Sequence, residues 1–347
     1  MDSVPYAFCL DVMGKLGDEA WQYEKMEKSL TGRWKAAARR YADNARDIVV
    51  GVNCDEGEWS YFYTMNENFA TNSLDELLGK LLAMNRRFVR CRAIYVQHEM
   101  DNLYHGGYYT TCSKEDIFRR FLPFMVQQAR SFRTFRFHHS LSREDARMYF
   151  DFFRGYKGFG FQDFDLDLPY VGEESEQFLS ACLELNMVRL TLDTSWSRSQ
   201  ALEDLLLKFF TIGRGRWTWS KGHWLSIEEP EGEENEELSM VISRRILEMV
   251  VNAWNEADSN RFQVHSPWYG GLDPVLSISV PPNVTRTEHK ISEQNRYLVL
   301  WSKENGSTLR VSLFWNDHYL RLTSHPDEWY EDVLAELQAD EDMSSTD

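Results

Sequence analysis

Short apolar strands separated by helical stretches recur along the middle of this chain, and no other feature restricts its fold as strongly. Pairs of alternating apolar residues stand at Phe135/Phe137, Phe164/Leu166, Leu190/Leu192 and Leu225/Ile227, with steps of 29, 26 and 35 residues between them. Ile94/Val96 reads as an earlier member. Between the pairs lie the stretches REDARMYFDFF, EESEQFLSACLEL and SQALEDLLLKFF, whose apolar residues return at helical spacing. Ser142 and Ser199 stand where the first and last of these need an N-cap. A strand followed by a helix about every 30 residues predicts parallel β–α units, because a parallel partner is reached only through a crossover.

The predicted class is therefore α/β: a leucine-rich-repeat-like strand–helix array over residues 46–230, although the spacing is irregular and the leucine consensus is absent. Its first part is read as a hairpin-like pair, RDIVVGV and EWSYFYTM, then a helix near 74–85 and a strand at CRAIYVQH. An N-terminal helical hairpin, 1–45, precedes the array, with one helix from about Tyr23 to Asn44. A C-terminal antiparallel α+β region, 231–338, follows. It is read as a long helix, ELSMVISRRILEMVVNAWNEA, and strands RFQVHSPW, PVLSISV, YLVLWSK, STLRVSLFW and YLRLTSH. ENGS turns the third strand into the fourth. A last helix, DEWYEDVLAELQ, leads to an acidic tail at 339–347.

The 38 basic and 55 acidic residues of the 347 give a formal net charge of −17, a field that repels phosphate backbones and anionic lipid. Nucleic acid is not an expected partner, and no apolar run is long enough to suggest a membrane span. Much of the negative charge sits in EEPEGEENEE, 228–237, and in the tail, both read as solvated. Five scattered cysteines, Cys9, Cys54, Cys91, Cys112 and Cys182, form no Cys-x-x-Cys pair. They suit buried thiols in a reducing compartment, cytoplasmic or nuclear.

No motif specifies a reaction, so catalytic residues, metal and cofactor are all read as none. GFQDFDLDLPY places Asp163, Asp165 and Asp167 on one face of a strand, as in family 18 glycosidases. Pro169 occupies the place of that family's catalytic Glu and has no proton to give. GRGRWTWSKGHW interleaves Arg214, Arg216 and Lys221 with Trp217, Trp219 and Trp224. That pattern suits single-stranded nucleic acid, but the overall charge favours a glycine-punctuated loop entering an aromatic strand. ARSFRTFRFHH reads the same way. His138 and His139 are adjacent in a strand and face opposite sides, and HEMDNLYH lacks zinc-protease spacing. GYKGFG lacks the Lys-Ser/Thr ending of a phosphate loop.

The opening, MDSVPYAFCLDVMGKL, has no positive n-region and carries Asp2 and Asp11, so it reads as an amphipathic helix and not as a secretory signal. Phe8, Val12 and Leu16 recur every four residues, with Cys9 and Met13 beside them. Ser3 can cap this helix, and Pro5 suits its first turn. Val4-Pro5, Phe8, Val12, Met13, Leu16 and then Trp34, in SLTGRWKAAARRY, resemble the F-box. With the style of NRYLVLWSKENGSTLRVSLFW near the other end, the chain is similar to nematode-type F-box-like proteins, with a degenerate F-box, strand–helix repeats and a C-terminal sheet.

That resemblance implies a non-catalytic, substrate-recruiting adaptor. Pro5, Phe8, Val12, Leu16 and Trp34 would dock a Skp-type subunit of an SCF ubiquitin ligase, and the array would bind a protein target. The alternative is a protein-binding scaffold with no ligase attachment, its N-terminal hairpin a cap on the array. The two readings differ in whether the Phe8 stripe is exposed or buried.

Overall fold

A computed structural model describes residues 4–16, 20–55, 57–65, 68–69, 73–97, 109–128, 134–138, 141–155, 164–185, 187–193, 195–197, 199–212, 223–227, 242–256, 262–268, 271–291, 296–314 and 318–324. The chain is a mixed α/β protein in two compact units, Met1–Met187 and Val188–Asp347. The acidic stretch 228–237, the tail, the last expected helix and most of GRGRWTWSKGHW lie outside the described residues, as do HEMDNLYH, Asp163 and His139. No described helix is long and apolar enough to cross a membrane.

The first unit opens with helices α1 (Tyr6–Leu16), α2 (Ala20–Ser29) and α3 (Gly32–Asn44). The single helix expected from Tyr23 to Asn44 is therefore two. Thr31 is extended, at φ −128° and ψ 166°, and Gly32 takes φ 57°. Glycine enters that left-handed region without the Cβ clash other residues meet, so the chain turns between Leu30 and Arg33.

Strands β1 (Arg46–Asp55) and β2 (Glu58–Met65) form the expected antiparallel hairpin, extended by β3 (Asn68–Phe69). After α4 (Leu74–Ala83) comes β4 (Val89–Gln97), parallel to β1. Strand β5 (Thr110–Cys112) adds to β2. Helix α5 is in three parts: Lys114–Asp116, a π-helical turn Ile117–Phe121, and Leu122–Gln127. Neither β5 nor α5 was expected. Strand β6 (Thr134–Phe137), α6 (Arg143–Gly155), β7 (Phe164–Leu168) and α7 (Glu173–Leu183) complete the unit. Its strand order is β3-β2-β1-β4-β6-β7, parallel from β1 to β7.

The register aligns the apolar pairs read from the sequence. Ile94 stands beside Phe135, Val96 beside Phe137, and Phe135 beside Leu166. Helices α6 and α7 cover them: Phe135 meets Phe153 edge-on at 4.3 Å, and Phe150 stacks on Phe178 at 4.5 Å. Ser142 Oγ accepts the Asp145 amide at 3.1 Å, the N-cap expected for α6. In the adjoining β1, Gly51 leaves room for the buried Phe62 ring, which any Cβ there would overlap. Gly51→Ala is expected to cost about 1–3 kcal/mol in urea unfolding, the range for overpacked cores. A loss below about 0.5 kcal/mol would show that the ring moves aside freely.

The second unit contains β8 (Met187–Leu192), α8 (Gln200–Ile212), β9 (His223–Ile227), α9 (Arg244–Glu256), β10 (Phe262–Pro267), α10 (Asp273–Leu276), β11 (Val284–Ile291), β12 (Arg296–Lys303), β13 (Thr308–Phe314) and β14 (Tyr319–Thr323). Strands β8, β9 and β10 are parallel, with Leu190 beside Leu225 and Leu192 beside Ile227. Beyond β10 the order is β14-β13-β12-β11, all antiparallel. Ser199 caps α8, its Oγ accepting the Leu202 amide at 3.0 Å. ENGS makes the β12–β13 turn, with Gly306 at φ 84°.

PVLSISV was expected as a strand, but its start forms α10. Pro274 lies in the first turn of that helix, where a missing N–H costs nothing. The strand next in sequence is β11, VTRTEHKI, whose polar residues gave no apolar alternation to read.

Candidate docking site

Helix α1 is apolar on two adjoining sides, and only one of them is covered. Cys9, Leu10 and Met13 are buried against Tyr23, Ala37, Ala38, Tyr41, Ala45 and Phe88. Tyr41 stacks on Tyr23 at 4.9 Å and meets Phe88 edge-on at 4.9 Å. Gly14 lets the helix approach, since a side chain there would strike the Tyr41 ring. Polar ties fix the angle: Arg33 donates to the Val4 carbonyl at 2.8 Å, and Arg87 pairs with Asp11 at 2.8 Å.

The other side faces outward. Phe8 is 53% exposed and Leu16 56% exposed, while Val12 and Trp34 are half-buried and Pro5 is exposed. Phe8 meets Trp34 edge-on at 6.2 Å and 82°. Beside them runs a groove of about 710 Å³ lined by Val12, Met13, Leu16, Met26, Leu30 and Trp34, with Gln22, Lys25 and Ser29 as its polar members. Of the five expected residues, Val12, Leu16 and Trp34 line this groove and Phe8 buttresses Trp34. Pro5 precedes the helix, its carbonyl accepting the Cys9 amide at 3.2 Å. Met26 and Leu30 were missed as site residues. Their four-residue step toward Trp34 was legible, but the Thr31–Gly32 turn is what makes them a separate wall.

The element is held to the sheet through polar groups. Arg90 donates to the Tyr23 hydroxyl at 3.0 Å and lies over that ring at 5.3 Å. Burial pushes the Tyr23 phenol up from 10.0 to about 12, against the opposing pull of the Arg90 charge. The folded state thus keeps its proton where the unfolded chain gives it up. The associated stability is complete below pH 10 and drains away as pH rises toward about 12. Melting temperature is expected to fall across that interval, and Tyr23→Phe to flatten the fall. An unchanged slope in the variant would put the effect on other tyrosines.

Phe164, Leu166 and Leu168 are buried, and on the other face of β7 Asp167 pairs with Arg136 at 2.7 Å. Burial pushes Cys91 and Cys112 up to about 12 and Cys182 higher still, which keeps these thiols protonated. No metal-ligand cluster occurs among the described residues. The N-terminal element thus leaves Phe8 and Leu16 exposed beside an apolar groove. Compared with known proteins, the chain matches no family model, no curated protein and no solved structure.

Proposed function

We propose that this protein is a non-catalytic, substrate-recruiting adaptor whose F-box-like N-terminal element docks a Skp-type subunit of an SCF ubiquitin ligase. One observation carries the reading. Phe8 and Leu16 are more than half exposed on a helix whose Cys9, Leu10 and Met13 are buried. Exposed large apolar side chains beside an apolar groove are what helix-in-groove recognition uses. Leaving about half of each in water forgoes roughly 1–1.5 kcal/mol per side chain, which a partner can recover.

The strand–helix succession is the target-binding part in this reading, a leucine-rich-repeat-like array. The aligned pairs Ile94/Phe135, Val96/Phe137, Leu190/Leu225 and Leu192/Ile227 support it. The packing of Cys9, Leu10 and Met13 on Tyr41 and Phe88 favours a second role for the same helices, as a cap on the first unit. On that role alone the protein is a scaffold without ligase attachment.

Calorimetric titration of the full chain with a purified Skp-type adaptor separates the two. Saturable one-to-one binding at micromolar or better affinity is the expected result. No heat and no complex on size exclusion leave the scaffold reading.

A further inference from the structure

In the second unit β9, β10, β14, β13 and β12 each lie between two other strands, while β11 pairs with β12 alone among the described strands. The ladder between them runs without a shift in register, from Val284 opposite Lys303 to Ile291 opposite Arg296. Every second residue of β11 therefore turns its backbone N–H and C=O away from β12. Thr285, Thr287, Glu288 and Lys290 are exposed, so side chains on both faces of this edge are in water. Sheets commonly blunt such an edge with a short strand, a proline or a bulge. At β3, which ends the strand order of the first unit, the strand is two residues long. Strand β11 has eight residues, no proline and no bulge.

An edge of this kind accepts an added strand, and the side chains opposite it decide which one. Two copies of β11 pair antiparallel about a two-fold axis only with one residue opposite itself. A centre at Thr287 sets Arg286 opposite Glu288 of the second copy, and Glu288 opposite its Arg286. It also sets Thr287 against itself and Thr285 against His289, so that no like charges meet. A centre at Arg286 or Glu288 sets like charges opposite each other, and a centre nearer either end pairs fewer residues. Arg286 and Glu288 already point the same way, 3.4 Å apart along the strand. Charges are screened beyond roughly 8 Å at physiological ionic strength, so the formal −17 of each copy acts weakly at an edge whose own charges are Arg286, Glu288 and Lys290.

We infer that the β11 edge is a self-association site, at which two copies of the chain join through antiparallel β11 strands centred on Thr287. The sheet of the second unit then continues from one copy into the other.

Sedimentation velocity on the full chain should show a reversible dimer forming between about 1 and 200 µM, as suits a small interface. A monomer throughout overturns the inference. Arg286→Glu and Glu288→Arg should each weaken the dimer about tenfold, because each sets like charges opposite. An equimolar mixture of the two should recover association, since the mixed dimer again holds two unlike pairs. No loss in either folded variant, or no recovery on mixing them, rejects the proposed pairing. Arg286 also donates to the Leu276 and Ile278 carbonyls, so a second variant leaves those bonds alone. Thr287→Cys should give a disulfide-linked dimer under mild oxidation, since the two residues stand directly opposite. Thr285→Cys should not, its two copies lying about 13 Å apart along the strands. Four native thiols are buried and Cys112 is half-buried, which leaves residue 287 as the exposed one. Linkage through Thr285→Cys or His289→Cys but not through Thr287→Cys overturns the inference. Neither experiment involves a Skp-type partner, so this site and the adaptor reading stand or fall separately.

Discussion

If the N-terminal element docks a Skp-type adaptor as proposed, replacing Phe8 and Leu16 together by aspartate is expected to lower that affinity by at least about 100-fold while leaving the fold intact. Apolar anchors in an interface contribute about 1.5 kcal/mol each when half their surface is recovered, and two of them give this order of loss. Introducing charge adds a desolvation cost on the partner's apolar surface. The fold should tolerate both changes, because each side chain already spends more than half its surface in water. A matched pair, Cys9→Asp with Met13→Asp, should instead unfold α1–α3, since both residues are buried. Circular dichroism and calorimetry on the two pairs check this. If the Phe8/Leu16 variant melts as early as the Cys9/Met13 variant, the outer stripe is structural and the docking assignment fails.

The largest stability effect is expected at Asp47. Its carboxylate neutralises two buried cations at once, accepting from Arg90 Nε at 2.9 Å and from Arg92 Nη2 at 3.2 Å. The two arginine side chains are only 4% and 9% exposed. Asp47→Ala leaves both charges buried around one methyl group, which is expected to cost about 3–5 kcal/mol. Much of the stability of an ordinary domain is of that size. Because Arg90 also holds Tyr23, faster amide exchange should spread into α2 as well as β1 and β4. Urea unfolding and hydrogen exchange measure the two effects. A loss under about 1 kcal/mol would mean that water or rearranged neighbours can serve both arginines.

Much of the architecture could be read along the chain because it was written in local terms. Ser142 and Ser199 cap the helices they precede, and ENGS turns the hairpin it lies in. Phe164, Leu166 and Leu168 alternate with aspartates, and they bury as that alternation requires. The errors share a cause too. One glycine at φ 57° divides α2 from α3, and one proline in a first turn makes a helix where apolar residues suggested a strand. In both places a single backbone preference outweighed side-chain periodicity.

The strand–helix succession of the middle and most of the C-terminal strands were determined by the sequence alone, since capping, turn chemistry and apolar spacing act between residues a few positions apart. Which apolar stripe is covered was decided only by the tertiary structure. Phe8 and Cys9 are neighbours, both apolar, and no local rule distinguishes them. Tyr41 and Phe88 arrive from 32 and 79 residues beyond Cys9 along the chain to cover it and leave Phe8 in water. Arg296 and Arg310 make the same point in the second unit, since strands usually carry charge outward and these lie buried. Burial depends on what long-range packing brings over a surface, and that is not encoded in the spacing of the residues that form it.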